Sequence, residues 1–299
     1  MGKDVGNTGK MQGTPVSRRH FHTLSVAAGI AAVASATPAM AAMTVTEKDV
    51  EIKTPDGTCD AAYFHPMSGT YPGVMIWTDA FGLRPTIRTI AKRLAAEGYT
   101  VLAPNPFYRT AKAPVIDNPS QFDFSNADSR AKMQTFSGPL QADGAAERDA
   151  AAYVAFLDAQ REVDTSKKIG VQGYCMGGPL VLRTAAAIPN RIGAGASFHG
   201  GSLVTTAANS PHLLIPKIKA QMLIAISEGD DMREPTTKDT LRKAFDDAKV
   251  KAEIEVYPGT LHGWCISDMP LQNGKPIYNM KEAERAWTRL LALYKTALA

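Results

Sequence analysis

The sequence predicts an α/β protein: a mostly parallel, twisted sheet with helices on both faces. Three observations predict it. Short apolar runs alternate with helix-competent stretches along most of the chain, one such run enters a helix through Gly173-Tyr-Cys-Met-Gly177, and further runs end in chemistry-bearing loops. Taken in order, residues 44–53 and 60–64 read as an opening pair of strands, followed by a buried strand at 73–78 (Gly-Val-Met-Ile-Trp-Thr) and a helix near 86–97. A strand at 99–103 precedes the longest irregular stretch, 105–142. That stretch holds Phe107, Tyr108, Phe122 and Phe124 among several prolines and reads either as a pocket wall or lid or as a surface excursion. A helix near 143–160 leads to the strand at 168–172, a helix at 177–188, and strands at 192–198 and 221–226. A helix at 235–248 then precedes the strand at 252–257, whose Ala-Glu-Ile-Glu-Val-Tyr alternates at period two, and a last helix spans 281–297. Strand, helix, strand repeats of this kind imply right-handed crossovers, with functional loops at the carboxyl ends of the strands.

Gly173-Tyr-Cys-Met-Gly177 is a nucleophile elbow with cysteine in the serine position. Small residues two before and two after the nucleophile permit a strained strand-to-helix turn that lifts the side chain above the sheet. The helix that follows directs free N–H groups and the positive end of its dipole toward the sulfur. Such an elbow needs an acid and then a histidine, each after a successive strand. The run 221–226 ends in Ser227-Glu-Gly-Asp-Asp231, with Pro235 opening a helix, and the next strand breaks at Pro258-Gly259 before His262. Of the two neighbouring acids, Asp231 is taken as the partner in preference to Asp230.

The elbow, the Gly229-Asp-Asp231 turn, the His262-Gly-Trp loop and the segment Gly73 to Arg84 together resemble the dienelactone hydrolase (carboxymethylenebutenolidase) family of the α/β-hydrolase superfamily, over roughly residues 45 to 298. The resemblance implies an α/β-hydrolase fold and hydrolysis of an ester or lactone. It makes Cys175 the nucleophile, Asp231 the orienting acid and His262 the base, with the N–H groups of Met176 and Ala80 as the oxyanion hole. Two departures bear on substrate. The family's glutamate that receives the resting thiol proton is here Asp79, one methylene shorter. The arginine that grips the substrate carboxylate four residues after the histidine is here Ile266. Arg84, Arg109 and Arg130 are candidates for a replacement anion contact, or else surface arginines. His199, at the end of another predicted strand, reads as a packing residue or a pocket lining.

The first 41 residues read as a cleaved export signal. Ser17-Arg-Arg-His-Phe21 resembles a twin-arginine motif, an alanine-rich apolar run covers 24–36, and Ala39-Met-Ala41 supplies the cleavage site. The expected destination is the bacterial periplasm or the exterior, with no stable membrane anchor after cleavage, and 42–299 form one domain. The leader carries Lys3, Lys10, Arg18, Arg19 and Asp4, a net +3 of the chain's +4, so the mature chain is near neutral at +1. No basic stripe interleaved with aromatics supports a nucleic-acid partner. Cys59, Cys175 and Cys265 form neither a disulfide framework nor a metal-spaced cluster; Cys59 and Cys265 read as two isolated buried thiols in preference to a pair formed in an oxidising compartment. No cofactor is needed by a thiol, an imidazole and a carboxylate. The competing readings are a broad carboxylesterase or thioesterase, a non-catalytic periplasmic binding protein on a hydrolase fold, and a thiol redox protein with a resolving cysteine supplied by the fold.

Overall fold

The computed structural model describes residues 43–116 and 118–299. The export signal assigned to residues 1–41 therefore lies outside the described residues. The strands are β1 (Val45–Thr54), β2 (Gly57–Pro66), β3 (Gly73–Trp77), β4 (Thr100–Pro104), β5 (Ile169–Tyr174), β6 (Ile192–Phe198), β7 (Gln221–Ser227) and β8 (Ala252–Tyr257). The helices are α1 (Pro85–Ala96), α2 (Ala127–Ser137), α3 (Ala145–Asp158), α4 (Gly177–Ala187), α5 (Glu228–Arg233), α6 (Thr237–Asp247) and α7 (Met280–Ala297). All eight strands form one sheet in the order β1-β2-β4-β3-β5-β6-β7-β8. The β1/β2 and β2/β4 pairs are antiparallel, and every pair from β4 through β3 to β8 is parallel.

Period-two alternation along the strands divides the core into two layers. Met75 and Trp77 face one side, where they join buried residues of α3, α4 and α6 such as Tyr153, Val181 and Phe245. Val74 and Ile76 face the other, against Ile87 of α1 and Leu290 and Tyr294 of α7. The central strands β3, β4 and β5 are buried throughout; β3 reads as an unbroken apolar run, and the buried Gln172 of β5 is bonded to Tyr174 and Tyr294. The edge strand β8 is only partly buried and keeps its alternating Glu253 and Glu255, which pair with Arg289 and Arg285 of α7.

Two elements depart from the sequence reading. The stretch 105–142 contains the helix α2, capped by Asn126 accepting from the Ser129 N–H at 3.0 Å. The acidic segment after β7 is not an open loop but the short helix α5, and this decides which carboxylate faces the histidine.

Candidate active site

Cys175 sits between β5 and α4 with φ +51°, in the left-handed region that an L-residue occupies only under constraint. The glycines on either side explain how the turn closes. A Cβ on Gly173 would lie 2.2 Å from the Gly177 carbonyl oxygen, and one on Gly177 would lie 2.5 Å from the Trp77 carbonyl oxygen. The Cys175 N–H donates to the Phe198 carbonyl at 3.0 Å, which fixes the elbow to β6. The side chain is left partly exposed at the carboxyl edge of the sheet. Among the described residues no acceptor takes the N–H of Met176 or of Ala80, so both amides are free to face a ligand. Ala80 lies on the loop after β3 and lines the same cavity as Cys175.

His262 follows β8, and its loop is stitched to α5. The Gly229 N–H donates to the Thr260 carbonyl at 3.0 Å, and the Gly259 N–H donates to the Glu228 carboxylate at 3.0 Å. His262 Nδ1 lies 2.9 Å from Oδ2 and 3.1 Å from Oδ1 of Asp230. Asp231, the acid chosen from the sequence, instead binds Lys238 Nζ through both oxygens at 2.7 Å. The correction has a simple cause. Successive residues of a helix project about 100° apart, so only one of two adjacent acids faces the histidine. Ser227 selects which one: its Oγ accepts from the Asp230 N–H at 3.0 Å and donates to Asp230 Oδ2 at 2.7 Å. Ser227-Glu-Gly-Asp230 has the spacing of a reciprocal helix cap, and that signal was present in the sequence. Arg233, which the sequence reading passed over, completes the cluster by pairing with Asp230 and lines the cavity.

Burial of Asp230 disfavours its charge, but hydrogen bonds and charge from His262, with help from Ser227 and Arg233, hold the carboxyl down at about 2. For His262, burial opposes the imidazolium, while hydrogen bonds and charge from Asp230 and the Cys175 sulfur raise its pKa to about 10. Asp230 thus holds His262 from behind, and His262 and Cys175 line the same cavity.

Asp79, the residue in place of the family's glutamate, lines the cavity with Cys175 but is held by Arg84. Its two oxygens accept from Arg84 Nη1 and Nη2 at 2.8 and 2.9 Å, and Oδ1 also accepts from the Phe81 N–H at 2.9 Å. The guanidinium binds Asp268 as well, Nη2 donating at 2.7 Å. Arg84 is therefore a buried tie between the loop after β3 and the loop after His262, with its donors spent, and it is no substrate clamp. Arg109 is likewise occupied, by Asp56 at 2.6 Å and the buried Asp149 at 2.8 Å. Arg130 donates to the carbonyls of Phe124 and Ser125 at 2.8 and 2.6 Å, so it shapes the cavity wall without reaching into it. Arg84 and Arg109 are thus occupied, Arg130 is an exposed arginine with only Nη1 bound, and none of the three lines either cavity at Cys175. Ile266 is fully buried in the core layer under α1 and α7, so its position does not face the cavity.

His199 packs behind the site. Its ring meets that of His262 edge-on at 5.0 Å, its Nδ1 lies 3.4 Å from Cys265 Sγ, and its buried Nε2 has no partner among the described residues. Burial, reinforced by the neighbouring His262, pushes its pKa well below the usual value and keeps it neutral. All three cysteines are free; Cys59 and Cys265 lie in opposite core layers, which separates them by the sheet. Among the described residues no group of three or more His, Cys, Asp or Glu side chains is gathered to hold a metal ion, and no helix is long and apolar enough to cross a membrane.

The chain is 26% identical over 262 residues to a Synechocystis sp. protein named "Putative carboxymethylenebutenolidase", covering 86% of this chain and 100% of that one. A crystal structure titled "Putative Dienelactone Hydrolase", from Klebsiella pneumoniae, superposes with a TM-score of 0.71 at 22% identity, covering 84% of this chain and 99% of its own. A dienelactone hydrolase-like promiscuous phosphotriesterase from metagenomic libraries gives 0.69 at 24% identity, covering 85% and 99%. The sequence profile of the dienelactone hydrolase family matches residues 59–298. The chain belongs to the dienelactone hydrolase family, has the α/β-hydrolase fold, and is a carboxymethylenebutenolidase-like hydrolase of ester bonds.

Proposed function

We propose that the protein hydrolyses an ester or lactone through a covalent thioester on Cys175, with His262 as base and acid and Asp230 as its orienting partner. The observation that carries this reading is the Asp230–His262 pair lining one cavity with Cys175 and Ala80, with the N–H groups of Met176 and Ala80 left without a protein acceptor among the described residues. His262 takes the thiol proton, as its raised pKa allows, and the sulfur adds to the carbonyl carbon. The two amides stabilise the oxyanion, a contribution of about 3 to 4 kcal/mol for one donor in comparable sites. The imidazolium returns its proton to the leaving oxygen as the C–O bond breaks. Acylation removes the sulfur's charge, and with it part of what raises the His262 pKa, so the imidazole becomes a base for the water that cleaves the thioester. The test is Cys175→Ala: a folded protein that has lost ester hydrolysis supports the reading, and a fully active one overturns it.

We further propose that the leader is removed and the protein acts in the periplasm or outside the cell, on the strength of Ser17-Arg-Arg-His-Phe21, the apolar run and Ala39-Met-Ala41. N-terminal sequencing of the exported protein is expected to start near Ala42, and Arg18→Lys with Arg19→Lys is expected to block export. An intact amino terminus on the exported protein would refute this.

A further inference from the structure

Two cavities meet at the nucleophile. One, of about 450 Å³, lies over α3 and α4 and is lined by Leu140, Ala146, Met176, Leu180 and Gly201; the other, of about 660 Å³, is lined by Phe81, Phe122, Phe124, Leu261, His262 and Met269. Cys175 is the one residue common to both linings. The two cavities differ in chemistry as well as in side. In the larger, Phe81, Phe122 and Phe124 form an edge-on cluster with centroids 4.8 to 5.7 Å apart. Phe124, Leu261 and Leu271 leave 48%, 41% and 56% of their surface open at its mouth, so apolar side chains are held there without an apolar partner. The smaller cavity has no aromatic side chain: Leu140, Met176 and Leu180 give it an aliphatic floor, Gln141, Ser202 and Thr205 add polar groups, and Arg183 is already bound to Glu147 and to the Asn209 carbonyl.

We infer that the substrate is an acyclic ester with two separate apolar arms, an aliphatic acyl chain lying over Leu180 and Gly201 and a flat, aryl-type leaving group lying among the phenylalanines. The inference rests on the cysteine-dependent reading above and follows from the four substituents of the tetrahedral carbon. One is the Cys175 sulfur, one is the oxyanion held at Met176 and Ala80, and one is the leaving oxygen. The leaving oxygen has to face His262, which supplies its proton, and His262 belongs to the larger cavity. The acyl chain takes the remaining direction, into the smaller one. When the S–C bond forms and the C–O bond breaks, the alcohol departs with the His262 proton from the aromatic side, and the acyl thioester stays over Leu180 until water releases the acid. A small lactone ties acyl carbon and leaving oxygen into one ring, so it leaves one of the two cavities empty and gains less binding from this site.

The assignment is tested by measuring kcat/KM for phenyl hexanoate, phenyl acetate, methyl hexanoate and a small dienelactone with wild type, Gly201→Leu, Phe124→Ala and Cys175→Ala. A Cβ at Gly201 meets nothing within 4 Å, so leucine there grows into the acyl cavity without a clash at its base. Gly201→Leu is expected to lower the hexanoate-to-acetate ratio about tenfold, the scale of a misfitted methylene or two, while the phenyl-to-methyl ratio stays put. Phe124→Ala is expected to lower the phenyl-to-methyl ratio about fivefold, as an aromatic contact is lost, while the chain-length ratio stays put. Ala142→Phe, at another position lining the acyl cavity, serves in place of Gly201→Leu if that variant does not fold. Exchanged patterns, uniform losses, or a wild type that prefers the dienelactone to phenyl hexanoate would overturn the two-arm assignment. A Cys175→Ala protein as active as wild type would instead overturn the cysteine reading beneath it.

Discussion

His262 Nδ1 is held 2.9 Å from Asp230 Oδ2, while the adjacent Asp231 turns away to Lys238. One residue of helix rotation separates a partner of the histidine from a surface ion pair. Asp230→Asn is therefore expected to lower kcat/KM about a hundredfold or more, because the imidazole loses both its orientation and the charge that favours its protonated form. Asp231→Asn is expected to change kcat/KM by less than about threefold, the effect of loosening a partly exposed ion pair. Steady-state kinetics of the two variants side by side check the assignment, and equal losses would reject it.

Alkylation distinguishes the three thiols. Burial pushes Cys59 up to about 12 and the Cys265 thiol well above its ordinary value, whereas Cys175 opens into the cavity beside His262. Iodoacetamide is expected to label Cys175 first, with activity falling in proportion, as peptide mass mapping over time will show. Preferential labelling of Cys265, which is also only partly buried, would overturn Cys175 as the reactive thiol.

The pH dependence of stability has two arms. Asp230 has its folded pKa lowered to about 2, so its contribution is present above the unfolded value of about 3.9 and is lost as pH falls through about 2. His262 has its folded pKa raised to about 10, so its contribution is complete below about 6.5 and is lost as pH rises through about 10. Melting temperatures are thus expected to fall both in strong acid and between about pH 6.5 and 10, with the alkaline fall reduced in His262→Gln. NMR titration of the same imidazole in Cys175→Ala is expected to show a lower pKa, since the sulfur is one of the groups that raise it.

Restoring an arginine at 266 is not expected to restore a carboxylate clamp. Ile266 is buried among core side chains, and a guanidinium there would have to be desolvated in an apolar layer. Ile266→Arg is expected to cost about 3 kcal/mol or more in stability, a fall in Tm of about 6 to 12 °C for a chain of this size. Thermal melts decide the point, and an unchanged Tm with improved turnover of a carboxylate-bearing lactone would place the side chain in the cavity after all.

What the sequence by itself determined is whatever local pattern specifies. Unbroken apolar runs marked the central strands β3 and β7, alternation in 252–257 marked the half-covered edge β8, and Gly173 and Gly177 marked the elbow, since no larger residue tolerates backbone at 2.2 and 2.5 Å. The order of Cys175, an acidic pair and His262 was likewise written in the chain. Tertiary structure decided everything that depends on direction. Ser227 and the turn of α5 chose Asp230 over Asp231, and core packing took Ile266 away from the cavity. Asp268, 184 residues from Arg84 in sequence, completed the bridge that ties Arg84 to Asp79 and leaves it no donor for a substrate anion. Sequence spacing records how far apart two groups are along the chain, whereas a guanidinium chooses the carboxylates the fold brings to it. For that reason the kind of site was legible before the fold was known, and the partners of its charged residues were not.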